Sequence, residues 1–160
     1  MPFMRLGAVS LLAACALVST ACAHSKIPGT EIDDTDENQE LLGVISAYTR
    51  AVESRDADAV LAMVSPRYFE DNGNTDRTDD YDYQGLADTL KADFEHTKTL
   101  QLEVRVDDIK VKDDTAEAFI LFNVRGHADL PSGALWKTLT DRARMRFERQ
   151  GKKWLILSGI

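Results

Sequence analysis

Two alternating apolar patterns follow each other in residues 100–124, LQLEVRVDDIKVKDDTAEAFILFNV. Every second residue is apolar over 100–106, and the same alternation runs over 116–124. Such alternation predicts strands, because successive side chains of a strand point to opposite faces of a sheet. The polar run between them, 112–114, is typical of a tight turn. We therefore predict an antiparallel hairpin in this part of the chain.

The alternation returns later in the chain and is replaced by a helical period earlier in it. Residues 139–148 alternate again, and the turn-forming pair Gln150-Gly151 leads into a last strand over 154–157. Upstream, apolar residues recur three or four positions apart, as on one face of a helix. The first such stripe consists of Leu41, Ile45, Tyr48 and Val52.

Two further helices are predicted from their capping residues. Asp56 is placed to cap a short second helix, and Asp82 is placed to cap a third, whose apolar face is Leu86, Leu90 and Phe94. Residues 71–82, which are rich in Asp, are expected to form a loop. Three helices followed by an antiparallel meander predict an α+β fold, in which the helices pack on one face of a strongly curved, mainly antiparallel sheet.

The first 22 residues, MPFMRLGAVSLLAACALVSTAC, have the layout of an export signal. Arg5 is the sole charge, and the apolar run after it is too short to span a membrane. Residues 18–22, VSTAC, resemble the lipobox of bacterial lipoproteins, in which the cysteine is acylated and becomes the mature N-terminus. We therefore predict a lipoprotein signal peptide over 1–22 and a lipid anchor at Cys22.

Secretion of a soluble protein is the alternative, because cleavage after Ala21 or Ala23 also satisfies the small-residue rule. Cys15 and Cys22 are the chain's two cysteines and both lie in the leader, so the exported domain contains no disulfide. Acylation then explains the presence of Cys22. Because Ala23 is not the Asp that retains lipoproteins in the inner membrane of enterobacteria, the outer membrane is favoured.

The chain is acidic, with 27 acidic and 19 basic residues. Removing the leader removes Arg5 alone, which leaves 27 against 18 and a net charge of −9. Such a surface repels phosphate, so nucleic-acid binding is excluded and membrane contact is expected through the acyl anchor. Residues 23–36 are polar and are expected to form a flexible tether, which leaves 37–160 as one domain.

Several stretches within 38–160 resemble the NTF2-like superfamily, which includes ketosteroid isomerases and SnoaL-type cyclases. The resemblance rests on ISAYTRAV (45–52), RDADAVL (55–61), VSP (64–66), YFED (68–71) and the final hairpin with Gly151 and Trp154. It implies a cone-shaped domain. It implies little about function, because this scaffold hosts enzymes, binding modules and adaptors alike.

Resemblance to the ketosteroid isomerases implies a set of candidate catalytic residues. Tyr48 falls where those enzymes carry a hydrogen-bond donor on the first helix, and Asp71 falls near the position of their catalytic base. Their second donor, a buried acid, is replaced here by Ala143. Asp141, two residues earlier on the same strand face, is the residue available to substitute for it.

Each candidate also has a structural interpretation. Tyr48 lies on the apolar stripe and suits a core aromatic, while Asp71 opens the turn-forming run DNGN. The acids of 71–82 lack the spacing of an EF-hand, and no nucleotide-binding motif is present. We predict no metal site and no cofactor, because the histidines are scattered at His24, His96 and His127.

One predicted strand is apolar on both faces. Phe119 and Leu121 lie on the face opposite Ile120, which is more apolar surface than a solvated sheet needs. We expect this face to be covered, either by a second copy of the chain in a homodimer or by the chain's own loop over 131–136. The convex sheet is often a dimer interface in NTF2-like families.

Three functional hypotheses follow. The leading one is a non-catalytic lipoprotein of the bacterial cell envelope whose domain binds a small apolar ligand or a protein partner. The alternatives are an exported enzyme of the ketosteroid isomerase or SnoaL type, acting through Tyr48 and Asp71, and a dimeric adaptor acting through its outer sheet. An open, apolar cone wide enough for a ring-sized ligand, in which Tyr48 and Asp71 converge on the same point, favours the enzyme. A cone filled by Phe94, Phe122, Met145 and Trp154 excludes it.

Overall fold

The computed structural model describes residues 25–130 and 133–160. The helices in these ranges are α1 (Asp36–Ser54), α2 (Ala57–Leu61) and α3 (Tyr83–His96). The strands are β1 (Phe69–Glu70), β2 (Tyr81–Asp82), β3 (Thr97–Lys112), β4 (Thr115–Leu130), β5 (Gly133–Gln150) and β6 (Lys153–Ser158). The predicted α+β class, with three helices before the main sheet, is confirmed.

The helices begin at polar caps. Asp56 and Asp82 accept hydrogen bonds from backbone N–H groups in the first turns of α2 and α3, at 2.9 and 3.0 Å, as predicted. Thr35 caps α1 in the same way, which places its start upstream of the apolar stripe. Across 25–130 and 133–160, no helix is both long enough and apolar enough to cross a membrane.

Strands β3 to β6 form one antiparallel sheet in chain order. β4 is hydrogen-bonded on both sides, to β5 over its whole length and to β3 over Thr115–Ala128. The register shifts between Val106 and Asp108 in β3 and between Arg146 and Phe147 in β5. Such irregularities bend a strand and increase its twist, so the sheet curves and presents a concave face.

Helix α1 packs against the sheet on that concave face. Its buried residues include Leu41, Ile45 and Val52, three of the four residues of the predicted stripe. The sheet contributes the alternating positions that point toward the helices, which are Leu102, Ala118, Ile120, Met145, Phe147 and Ile156. Burial of these two apolar surfaces against each other is the main stabilising contribution to the fold.

Residues 63–65 extend the sheet beyond β6. The Ser65 N–H donates to the Ile156 carbonyl at 2.8 Å, and the Ile156 N–H donates to the Met63 carbonyl at 2.8 Å. Glu148 is 2% exposed and accepts hydrogen bonds from the Ser65 hydroxyl and the Arg67 guanidinium. This polar network ties the segment after α2 to β5.

Two predicted loops are partly strands. Residues 133–136, expected in the loop 131–136, belong to β5, because β4 runs on past the core and β5 satisfies its backbone hydrogen bonds. Residues 81–82, expected in the acidic loop, form β2 and pair with β1. The loop prediction was wrong at these two places, where pairing outweighs the turn-forming composition.

Residues 25–35, within the stretch 23–36 that was predicted to be a flexible tether, form a turn that packs on the domain. Lys26 bridges to Asp33 with a 2.8 Å ion pair, and the Ile27 N–H donates to the Ile32 carbonyl at 2.9 Å. Gly29, with φ 80°, supplies the left-handed residue of this turn. Ile32 is 2% exposed and belongs to the core. The predicted signal peptide and Cys22 lie outside the described residues.

We expect Ile32→Ala to lower the free energy of unfolding by about 2–4 kcal/mol, because it removes a buried side chain and leaves a cavity. Urea unfolding of the domain measures this change. Glu31→Ala, at an exposed neighbouring position, is the control and should change stability by less than about 0.5 kcal/mol. Equal effects of the two substitutions would show that residues 25–35 do not pack on the domain.

Candidate functional site

The curved sheet and helix α1 enclose a cavity of about 620 Å³. Its apolar wall is built from Val52 of α1 and from residues that alternate along the concave face of the sheet, which are Leu102, Val104, Ile120, Phe122 and Val124. Asp71, Asn72, Gly73 and Asp141 also line it and are exposed to solvent, so they lie at its mouth. The cavity is therefore apolar inside and polar where it opens.

The three candidate residues from the sequence all line this one cavity. Tyr48 comes from α1, Asp71 follows β1, and Asp141 lies on β5. Ala143, which takes the place of the second donor acid, lines it too, two residues from Asp141 on the same strand face. Elements far apart in the sequence therefore bring these side chains to a common space.

Tyr48 is half-buried. Its position agrees in part with a role as a core aromatic and in part with a role as a hydrogen-bond donor in the cavity. Its ring packs against the core cluster, and the residue also faces the cavity. Burial raises the pKa of the Tyr48 hydroxyl well above its usual value, and the nearby Tyr81 raises it further. The phenol therefore stays protonated at physiological pH and is available as a neutral hydrogen-bond donor.

Asp71 is a turn residue that also lines the cavity. Its Oδ1 accepts a hydrogen bond from the Gly73 N–H at 3.0 Å, which closes an Asx turn. Asn72 in this turn has φ 49°, in the left-handed region that Asn tolerates. The turn holds the Asp71 carboxyl at the mouth of the cavity.

Asp141 lines the cavity from β5. Its Oδ1 accepts a hydrogen bond from the Arg142 N–H at 2.7 Å. Arg142, Arg144 and Arg146 of the same strand also belong to the lining, and Arg144 forms an ion pair with Glu117 at 3.5 Å. Guanidinium groups therefore accompany the carboxylates of this cavity.

A cluster that sequence reasoning missed closes one end of the cavity. The hydroxyls of Tyr68 and Tyr81 both donate to the Ile160 carbonyl oxygen, at 2.9 and 3.1 Å. The Glu70 carboxylate accepts from the Gly159 N–H at 2.6 Å. Desolvation raises the pKa of both phenols, so they remain donors. The only sequence signal was the aromatic and acidic character of YFE at 68–70.

Gly159 is required by the close approach of this segment to β5. It has φ 92°, and a Cβ built on it would lie 2.2 Å from the Arg144 carbonyl oxygen. No other residue type can occupy that space without moving the backbone. The segment 158–160 is thereby held as a wall of the cavity.

The four large residues whose positions test whether the cone is open do not fill it. Met145 and Trp154 are 0% and 3% exposed and belong to the core. Phe94 packs against that core, and Phe122 forms part of the cavity wall. The space between the helices and the sheet therefore remains available to a ligand.

The remaining candidates from the sequence are a metal site and the three histidines. Among the described residues, no three His, Cys, Asp or Glu side chains are grouped so that they could hold a metal ion. His127 stacks on Trp136, with the ring centroids 4.3 Å apart, and His96 ends α3. His24 lies outside the described residues.

The outer sheet face carries Phe119 and Leu121, and both are half-buried. The Lys110 ammonium lies 4.9 Å from the centroid of the Phe119 ring and covers part of it. In the register of the sheet, the two residues pair with Arg144 and Arg142 of β5. A homodimer through this face stays a prediction.

The family model described as a SnoaL-like domain matches residues 42–159. The chain belongs to this family. The matched range runs from α1 to the end of β6 and includes Tyr48, Asp71 and Asp141. No curated protein has a sequence that matches the SnoaL-like chain.

Solved structures with the same fold are distant in sequence. A conserved protein from Planctomyces limnophilus superposes with a TM-score of 0.66 at 10% identity, over 77% of this chain and 92% of that one. A candidate scytalone dehydratase from Novosphingobium aromaticivorans gives 0.64 at 8% identity, over 77% and 80%. A candidate dehydratase of the NTF2-like family from Streptomyces avermitilis gives 0.61 at 15% identity, over 77% and 93%. At these identities the likeness shows the fold alone, which is the NTF2-like cone.

Proposed function

We propose that this SnoaL-like domain binds a small, largely apolar and uncharged molecule in its concave cavity, at the surface of a bacterial envelope membrane. The observation that carries the proposal is the cavity itself, about 620 Å³ with apolar walls and a polar mouth. Pockets that hold small molecules are typically about 300–1,000 Å³, mostly apolar, with a few polar groups that orient the ligand.

The charged groups of the lining narrow the class of ligand. Glu70, Asp71 and Asp141 contribute three carboxylates, and Arg142, Arg144 and Arg146 contribute three guanidinium groups. Because these charges balance, the lining has no net charge to attract a charged ligand, and an uncharged molecule suits the apolar walls. Tyr48 offers a neutral hydroxyl, which suits a carbonyl or hydroxyl oxygen on the ligand.

The cavity also favours ligand binding over the adaptor hypothesis. An adaptor that works through its outer sheet has no need of an internal space. Here the side chains of β3 and β4 line an empty volume where a core would otherwise continue. An empty volume lacks the dispersion contacts that a filled core would provide, so it lowers stability. A ligand-binding role accounts for such a volume, and an outer-sheet adaptor role does not.

Binding is tested with the neutral dye N-phenylnaphthylamine, whose fluorescence increases in an apolar environment. We expect the purified domain to bind the dye and Ala143→Leu to weaken binding by about tenfold or more, because the larger side chain occupies space that the ligand needs and steric overfilling costs about 1–3 kcal/mol. Thr138→Leu, on the exposed outer face of the same strand, is the matched control and should leave the affinity unchanged. Equal affinity of all three proteins would place the dye outside the cavity.

Acid–base catalysis is the second candidate function, because the structure brings a neutral phenol and two carboxylates to one apolar cavity. In this chemistry the Asp71 carboxylate would remove a proton next to a carbonyl group, while the Tyr48 hydroxyl donates a hydrogen bond to the enolate oxygen. The same proton would then return to the carbon. Two of the structurally similar proteins are described as candidate dehydratases.

The catalytic hypothesis predicts exchange of carbon-bound protons in D₂O. We expect the domain to accelerate exchange at the α-carbons of β-tetralone, followed by NMR, and Asp71→Asn to reduce the acceleration by about 10²-fold or more. Asp76→Asn, in the same loop but outside the cavity lining, should retain it. Exchange no faster than in buffer would leave a binding protein without this activity.

The location is proposed from the leader. If Cys22 is acylated, ten residue steps separate it from Ile32, which is buried in the core. Ten steps span at most about 36 Å, so the domain would lie close to the bilayer. A ligand of this protein would then be an apolar molecule that is available at the membrane surface.

Replacing Cys22 with Ser tests the anchor. We expect the wild-type chain, expressed with its leader in a bacterium, to fractionate with membranes and to incorporate labelled palmitate. The variant should lose both properties, because serine lacks the thiol that is acylated. A variant that fractionates as the wild type does would contradict the anchor, and Cys15→Ser provides the control for a change elsewhere in the leader.

A further inference from the structure

A second, smaller pocket adjoins the cavity on the concave face of the sheet. It has a volume of about 240 Å³ and is lined mainly by apolar residues of β3, β4 and β5. Its apolar side chains are Leu100, Val124, Ala128, Leu135 and Leu139. Thr97, His127 and Lys137 complete its lining with Gly126, and among the described residues no carboxylate lines it, in contrast to the mouth of the first cavity.

The two spaces are neighbours along the strands. Val124 lines both of them. Leu139, in the second pocket, lies two residues from Asp141 at the mouth of the first, and Leu100 lies two residues from Leu102 in the same way. Residues two apart point to the same face and are about 7 Å apart, so the second pocket continues the first by one row of side chains.

The second pocket is too small to be a separate ligand site. Small-molecule pockets are typically about 300–1,000 Å³, and this one lies below that range. It also leaves apolar side chains uncovered, since Leu135 and Leu139 are 49% and 40% exposed. A narrow apolar extension of a wider, partly polar cavity suits a flexible apolar chain attached to a bulkier group.

We propose that the second pocket holds an unbranched alkyl chain that extends from the molecule bound in the first cavity. The ligand is then an uncharged amphiphile, with a ring or carbonyl group near Tyr48 and a hydrocarbon tail along Leu100, Leu135 and Leu139. This inference rests on the proposed binding function and adds the class of ligand to it.

Gly126 is the position at which a substitution can fill the second pocket, the proposed tail site. It lines the second pocket and not the first, and a Cβ added to it would lie 3.5 Å from Leu100 Cδ1, an ordinary contact. A larger side chain at this position therefore fills the pocket without displacing backbone. Gly43, in α1, is exposed and has no atom within 4 Å of an added Cβ, so it provides the same substitution at a neutral site.

The test uses a series of phenyl alkyl ketones whose unbranched alkyl chain grows one carbon at a time, with affinities from displacement of N-phenylnaphthylamine. For the wild type, we expect each added methylene to tighten binding by about fourfold until the pocket is full, which corresponds to about 0.8 kcal/mol per buried methylene. Gly126→Leu should abolish this dependence and leave the affinity for acetophenone unchanged. Gly43→Leu should behave as the wild type.

Leu135→Ser provides a second variant that does not depend on filling the pocket. It removes an apolar wall at an exposed position and should reduce the gain per methylene without weakening acetophenone binding. If acetophenone binds and the affinity does not change with chain length, or if Gly126→Leu keeps the full dependence, the tail site is wrong and the first cavity stands. If neither the dye nor acetophenone binds, the binding function fails and the tail site fails with it.

Discussion

The structure depends on the length of the central strand. β4 pairs with β5 over its 16 residues, about 50 Å of extended chain, and with β3 over Thr115–Ala128, whereas α1, with 19 residues, is about 28 Å long. A helix of that length cannot cover the concave face of such a strand. The surface it leaves uncovered forms the wall of the cavity and of the smaller pocket beside it.

The walls of the cavity are held by polar contacts as well as by packing. Glu70 binds the Gly159 N–H, and the hydroxyls of Tyr68 and Tyr81 bind the Ile160 carbonyl, which places the segment after β6 against the mouth. On the other side of the sheet, Glu148 links β5 to Ser65. A buried carboxylate is costly unless it is paired, so these contacts define where each segment lies more than they add stability.

Much of the fold was predictable from local patterns. The alternation over 100–106 and 116–124, the stripe through Leu41 and Ile45, and the caps Asp56 and Asp82 all describe neighbouring residues, and the structure has each of them. The errors fall where distant segments meet. Residues 25–35 look like a tether by composition, yet Ile32 is buried because the folded domain offers it an apolar surface.

The sequence by itself determined the class of fold, the types of its elements and three side chains that face the cavity, because these follow from short-range periodicity and from the family resemblance. Only the tertiary structure decided that Tyr48, Asp71 and Asp141 share one space and that this space is open. The size of a cavity is set by how far a curved sheet stands from its helices. That distance depends on strand length, register shifts and burial summed over the whole chain, and no local pattern records it.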